Sequence, residues 1–193
     1  MKNSIILVTL AVVFFSCKKD LSVCKNYKEI TGRVGTIDPA SIQITEMRDT
    51  LLKYPQLEVS QLYTNSFISS MYCNVYYKNL QLFTDQYTVF KNMTGDSLYT
   101  SGTLFQNTLS ISLEPKVKYE DAIKEAHNYI NLDHSCTAYQ LGLYNKNRWS
   151  NVPANYKLAW KISDVEKPYI YVIIDAIDKS YLYSERGGVY WTN

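Results

Sequence analysis

From Leu57 onward the apolar residues recur with a period of two, and only short polar breaks interrupt them. A period of two sends alternate side chains to opposite faces of an extended chain, so this region is restricted to β-structure. Residues 62–68, 70–77, 80–90 and 97–105 read as successive strands. Lys78-Asn79 and Asn92-Met93-Thr94-Gly95-Asp96 are turn material between them. Connections this short predict antiparallel neighbours. A second series follows at 138–144, 156–163, 169–174 and 181–184, and Gly187-Gly188 precedes a last apolar stretch, Val189-Tyr190-Trp191.

Two helices interrupt the strands. Asp38-Pro39 is a helix start: Asp accepts from the first free N–H groups, and Pro fits the first helical position. Ile44, Met47 and Leu51 then fall at i, i+3 and i+7, and Pro55 closes the helix near Tyr54. A second helix is predicted over 119–131, with Ala122, Ala126, Tyr129 and Ile130 on one face. Residues 28–37 have β character. Helices grouped with antiparallel sheets define an α+β fold rather than a doubly wound one. The expected organisation is two small helix-on-antiparallel-sheet subdomains, 28–114 and 115–193, joined near residues 114–117.

The chain begins MKNSIILVTLAVVFFSCKK. Lys2 gives a short positive start, and residues 5–15 form an apolar run of signal-peptide length, too short to span a bilayer comfortably. Phe14-Phe15-Ser16-Cys17 resembles a bacterial lipobox, which implies cleavage after residue 16 and a lipid on Cys17. Acyl chains bury roughly 0.8 kcal/mol per CH₂ in a membrane, so several chains anchor durably. The other reading is an ordinary cleaved signal with a coincidental Cys. Residues 17–27 then form a tether, and the expected location is the bacterial cell envelope, at the outer membrane. With Cys17 lipidated, Cys24, Cys73 and Cys136 remain, an odd number in an oxidising compartment. Cys73 with Cys136 is the expected pair, because Cys24 lies in the tether; two unpaired core thiols are the alternative.

Removal of residues 1–16 takes one of the 20 basic side chains, Lys2, and leaves 19 against 18 acidic ones. That balance builds no dense positive field for nucleic acid. Tyr accounts for 18 residues, a composition suited to half-buried sheet surfaces.

The stretch PKVKYEDAIKEA at 115–126, with YKLAWKI and YVIIDAIDKSYLY after it, resembles the PepSY module. NVYYKNLQLFTDQYTVFKNMTGDSLYTSGTLF before it is similar to the neighbouring FTP module. Together these modules form the propeptide of thermolysin-like and fungalysin-like metalloproteases, which inhibits the enzyme and assists its folding. The resemblance implies that Trp160, Asp175 and Ala176 carry the fold motif. Lys78-Asn79 stands where the family has Lys-Gly, and Lys179 where Gly is usual.

Thermolysin-like catalysis needs two His at i, i+4 with an adjacent Glu on one helix. This chain has only His127 and His134, seven apart, and Gly-x-Ser-x-Gly is absent as well. His134-Ser135-Cys136 reads as a surface loop, and Asp164 and Glu166 as solvated turn charges. Trp160 alternates with Leu158 and Ile162, which puts all three on one core-facing side. Asp175 reads as a turn-former. The expectation is therefore a non-catalytic lipoprotein without cofactor or metal. It would bind a secreted metallopeptidase in trans and bind no nucleic acid. An unrelated peptide, glycan or envelope protein is the alternative partner.

Overall fold

The computed structural model describes residues 27–33, 37–102, 104–105, 108–132, 136–148 and 153–186. The alternation that starts at Leu57 is where the main sheet starts. β2 (Leu57–Thr64), β3 (Ile68–Tyr77) and β4 (Leu80–Asn92) follow as an antiparallel meander after the short strand β1 (Lys28–Glu29). Lys78 and Asn79 both take left-handed conformations, with φ of 48° and 67°. That is the two-residue turn whose twist matches the strands it joins, and Asn fills the glycine position at small cost. The expected strand at 62–68 is divided: residues 62–64 end β2, the chain reverses over 65–67, and Ile68 starts β3. Asn65 Oδ1 accepts from the amides of Phe67 and Ile68, at 2.8 and 2.9 Å, and folds the chain back. Apolar Phe67 and Ile68 at the turn had disguised it as strand.

β5 (Leu98–Ser101) pairs with the second half of β4. β6 (Thr137–Asn145), β7 (Tyr156–Asp164), β8 (Ile170–Asp175) and β9 (Tyr181–Arg186) form a second antiparallel meander. Two parallel contacts depart from the antiparallel expectation. β1 lies beside Ala138 and Tyr139 of β6, and Gln81-Leu82 of β4 lies beside Gly142-Leu143. The second contact fuses the two meanders into one sheet in the order β2-β3-β4-β6-β7-β8-β9.

The first helix is split. Asp38 accepts from Ala40 N and starts only a 3-10 turn, Pro39–Ser41, whose last donor is Ile42 N. Ile42 is extended, and α1 (Thr45–Lys53) starts afresh three residues later. α2 (Tyr119–Ala126) is shorter than expected and unwinds through single turns to Ile130. Met47 and Leu51 of α1 share one core with Ala122, Ile123 and Ala126 of α2, and with Met71, Val89, Leu143, Leu158 and Ile174 of the sheet. Both helices therefore cover the same face. The architecture is α+β, but the two expected subdomains are not separate units: one sheet and one core run across the expected junction.

Lys91 is the buried charge on the helix side. Its ammonium donates to Glu46 of α1 at 2.7 Å and to Asp96 at 2.5 Å. The Lys91 hydrogen bond holds both carboxyls below their ordinary range. It thus ties α1 to the turn after β4.

The expected Cys73–Cys136 pair does not form. Cys73 is a buried free thiol, whereas Cys136 is disulfide-bonded. Cys73 sits on β3 opposite Tyr87 of β4, and Cys136 flanks β6 on the far side of β4. Strands two places apart lie roughly 9–10 Å from each other, and a disulfide needs Cα atoms within about 7 Å. Spacing along the chain carried no hint that β4 would stand between them.

Burial, with the charge of Glu58 adding to it, pushes the Cys73 thiol from its ordinary 9.0 up to about 12. A raised folded-state value favours the protonated form, so this contribution to stability is complete below pH 9 and lost as pH rises towards 12. The denaturant midpoint should therefore fall above pH 9, and fall less steeply in Cys73→Ala. Alkylation of native protein at pH 8, followed by non-reducing peptide mapping, should find Cys73 unmodified and Cys136 in a disulfide. Rapid labelling of Cys73, or a Cys73–Cys136 linked peptide, would contradict this placement.

Candidate functional site

The motif residues of the second meander converge on the segment that leads into α2. Trp160 on β7 faces the helices and donates from Nε1 to the carbonyl of Val117, at 2.8 Å. Its ring meets Tyr139 edge-on at 6.0 Å, and Tyr139 stacks flat on Tyr119 at 4.2 Å. Ala176 is fully buried, and its carbonyl accepts from the amides of Lys116 and Val117. Asp175 ends β8 with Oδ1 accepting from Ile177 N at 2.7 Å, while Oδ2 lies 3.6 Å from Lys157 Nζ. Lys179 takes the left-handed conformation of the turn that follows, φ 67°, and Asp178 accepts from Ser180 N. Trp160, Asp175 and Ala176 thus hold the entry of α2 and the β8–β9 turn, and none of them faces an open cavity.

Chemistry-bearing side chains gather on the other face of the sheet, where no helix lies among the described residues. The cause is the contact between β4 and β6. A Cβ on Gly142 would sit 2.4 Å from Phe83 Cζ and 2.6 Å from the Gln81 carbonyl, so the Phe83 ring lies directly on the glycine. Between Gln81 and Gln86 the β3–β4 register slips, and residues 82–85 of β4 bulge away from β3. A cavity of about 310 Å³ opens there, lined by Asn74, Gln81, Phe83, Asp85, Arg148 and Tyr171 among others.

Arg148 and Asp85 line this cavity, and Lys161 and Glu185 flank its Tyr171 wall. Lys161 on β7 places its ammonium 4.6 Å from the Tyr171 ring centroid and 5.9 Å from that of Phe83. No carboxylate pairs with it among the described residues, and burial pushes its ammonium below the ordinary lysine value. Arg148 lies over the Tyr183 ring at 4.5 Å and is hydrogen-bonded to Tyr171. Asp85 accepts from the Tyr156 hydroxyl at 2.9 Å and from Thr84 at 3.4 Å. Burial raises the Asp85 carboxyl, opposed by those two hydrogen bonds and by the charge of Arg148. Gln140 Nε2 donates to Gln81 Oε1, which fixes the amides at the cavity edge. Such an arrangement can accommodate polar or charged groups beside aromatic walls.

The sequence reading missed this site. Its one available signal was Lys161, which alternation sets on the face opposite Trp160 and Ile162; a lysine there reads as solvated. Asp164 and Glu166 form no carboxylate pair, because Asp164 Oδ1 accepts from Glu166 N and Lys167 N in a tight turn. Among the described residues no group of three or more His, Cys, Asp or Glu is placed to hold a metal ion. Cys17, Cys24, His134 and residues 187–193 lie outside the described residues.

No protein-family model matches the chain, and no curated protein matches it. Among solved structures, the Bacillus megaterium YpeB C-terminal domain is similar at 11% identity and a TM-score of 0.47. The match covers 82% of this chain and 69% of that one.

Gly142→Ala should displace Phe83 and strain the β4–β6 contact. Overpacking of this kind costs about 1–3 kcal/mol. Thermal denaturation should show the loss, and Gly142→Ala combined with Phe83→Leu should recover part of it. No loss in the single variant would mean that Phe83 moves freely off the glycine.

Proposed function

We propose that this chain is a non-catalytic binding protein of the bacterial cell envelope, lipid-anchored through Cys17. In this reading it binds a secreted peptidase in trans and inhibits it or assists its folding. The observation that carries a macromolecular partner is an aromatic row across the helix-free face. Cross-strand register lines up Tyr63 of β2, Ser70 of β3, Phe90 of β4 and Tyr99 of β5, and Tyr72 packs edge-on against Phe90. Tyr63 is 55% exposed and Tyr99 61%, and Phe67 at the neighbouring hairpin tip is 70% exposed. Exposed aromatics at both ends of such a row are the kind of feature that marks association surfaces, and Tyr is enriched at such surfaces.

β2 borders this row at the edge of the sheet, and an edge strand offers unpaired N–H and C=O groups to an extended partner segment. The peptidase as partner class is supported by the sequence resemblance to the FTP and PepSY modules. No helix among the described residues is long and apolar enough to cross a membrane. The proposed attachment is the lipid on Cys17.

A photo-crosslinking residue placed at Tyr99 in cells, read by mass spectrometry, tests the partner class. The expected result is enrichment of a secreted metallopeptidase whose activity or refolding yield responds to the purified chain. Phe90→Ala with Tyr99→Ala should weaken that response about tenfold or more, as for aromatic hot spots. Crosslinks only to glycan-processing or other envelope proteins would sink this reading in favour of an unrelated partner.

A further inference from the structure

We propose that the cavity opened by the β4 bulge binds a neutral sugar of one or two pyranose rings, held by Gln81, Asp85 and Gln86. This does not rest on the peptidase reading, since it concerns a small ligand in a cavity that neither Tyr63 nor Tyr99 lines. The balance of charge selects a neutral ligand. Arg148 and Asp85 line the cavity with opposite charges. At the Tyr171 wall, Lys161 lies 4.6 Å from the ring, and Glu185 stands opposite Tyr171 in the β8–β9 register, accepting from Tyr183. Each of these cations is matched by one carboxylate, so an ionic ligand meets no excess of opposite charge.

The polar atoms left to a ligand ask for hydroxyls. The hydrogen bonds to Asp85 from Tyr156 and Thr84 both end on Oδ2, and Oδ1 has no bond among the described residues. Gln81 uses its oxygen for Gln140, which leaves the two N–H groups of Nε2. The Gln86 side chain is exposed and makes no hydrogen bond among the described residues. One acceptor, one donor group and one amide that does both thus line a single cavity. A hydroxyl donates, accepts and turns about its C–O bond, so adjacent hydroxyls serve all three. A purely apolar ligand would desolvate the same groups and leave them unpaired.

The rest of the wall selects a sugar. Phe83 and Tyr171 are half-buried and contribute rings to the lining. A pyranose is amphipathic: its axial C–H groups form an apolar face, and its hydroxyls form a polar rim. The apolar face packs on an aromatic ring while the rim reaches polar side chains. A volume of about 310 Å³ falls at the small end of ligand pockets, which sets the length at one or two rings. The groups are held before a ligand arrives, Gln81 by Gln140, Asp85 by Tyr156 and Arg148 by Tyr171. Little side-chain freedom is then lost on binding.

Calorimetric titration of the full chain, in a detergent without a sugar head group, tests this. The neutral probes are maltose, cellobiose, lactose and N,N′-diacetylchitobiose, with glucuronic acid as the charged sugar and acetyl-Ala-Ala-amide as a neutral non-sugar. At least one neutral disaccharide should bind saturably, and more tightly than glucuronic acid or the peptide. In Asp85→Asn the oxygen stays with Tyr156 and Thr84, and an N–H₂ group replaces the acceptor that faces the ligand. That disaccharide should then bind about tenfold more weakly, the scale of a hydrogen bond to a charged group. Gln86→Ala should weaken it about fivefold, the scale of a neutral hydrogen bond. Because Gln86 is exposed, this variant keeps the test open should Asp85→Asn lose the native circular dichroism. The proposal is overturned if none of the four disaccharides binds saturably, or if folded Asp85→Asn and Gln86→Ala both keep full affinity. Tighter binding of glucuronic acid would overturn the neutral assignment, and tighter binding of the peptide would overturn the sugar.

Discussion

The short parallel contact between β4 and β6 holds the molecule together as one body. Only Gln81-Leu82 and Gly142-Leu143 pair there, yet every strand of the second meander reaches the first through that seam or the shared core. Two ladder pairs are a weak junction by backbone hydrogen bonding alone. Side chains reinforce it on both faces. Leu82 and Leu143 are buried in the core beneath the helices. Above the sheet, Phe83 lies on Gly142, and Gln140 is bonded to Gln81. A glycine in mid-strand weakens that strand in isolation. Here the missing side chain makes room for a ring from the other meander.

The same contact produces the cavity. For residues 81–82 to follow β6, β4 must leave its register with β3, and the slip between Gln81 and Gln86 is where it does so. The bulged residues Phe83, Thr84 and Asp85 line the cavity together with Arg148 and Tyr171, and Asp85 is tied to Tyr156. Bulges re-aim side chains, and they concentrate beside functional sites for that reason. Fold and candidate site share one cause, so the site has little freedom to move without parting the sheet.

Strand order along the chain was legible because period two and short polar breaks are local signals. Both helices, the 78–79 turn and the inward face of Trp160 followed from such signals. What escaped was non-local. Nothing in the sequence near Gln81 announces a parallel neighbour sixty residues away, and so one continuous sheet was read as two. The cysteine pairing failed for the same reason, since the strand that separates Cys73 from Cys136 is placed by the seam. The candidate site was hidden more deeply. Arg148 and Asp85 are ordinary surface residues in sequence, and only the bulge and the Phe83–Gly142 contact bring them to one cavity.

The helices explain why the charges are on the other side. α1 and α2 cover one face, and the clamp at Val117, which joins Trp160 Nε1 and the Ala176 carbonyl, commits α2 to that face. Within the core the buried Lys91 has two carboxylates as partners. Lys161 on the uncovered face has aromatic rings instead. Burying a charge is costly without a partner, so the two lysines represent different solutions. One is a structural tie, closed by the protein itself. The other is half-buried against the rings of Phe83 and Tyr171.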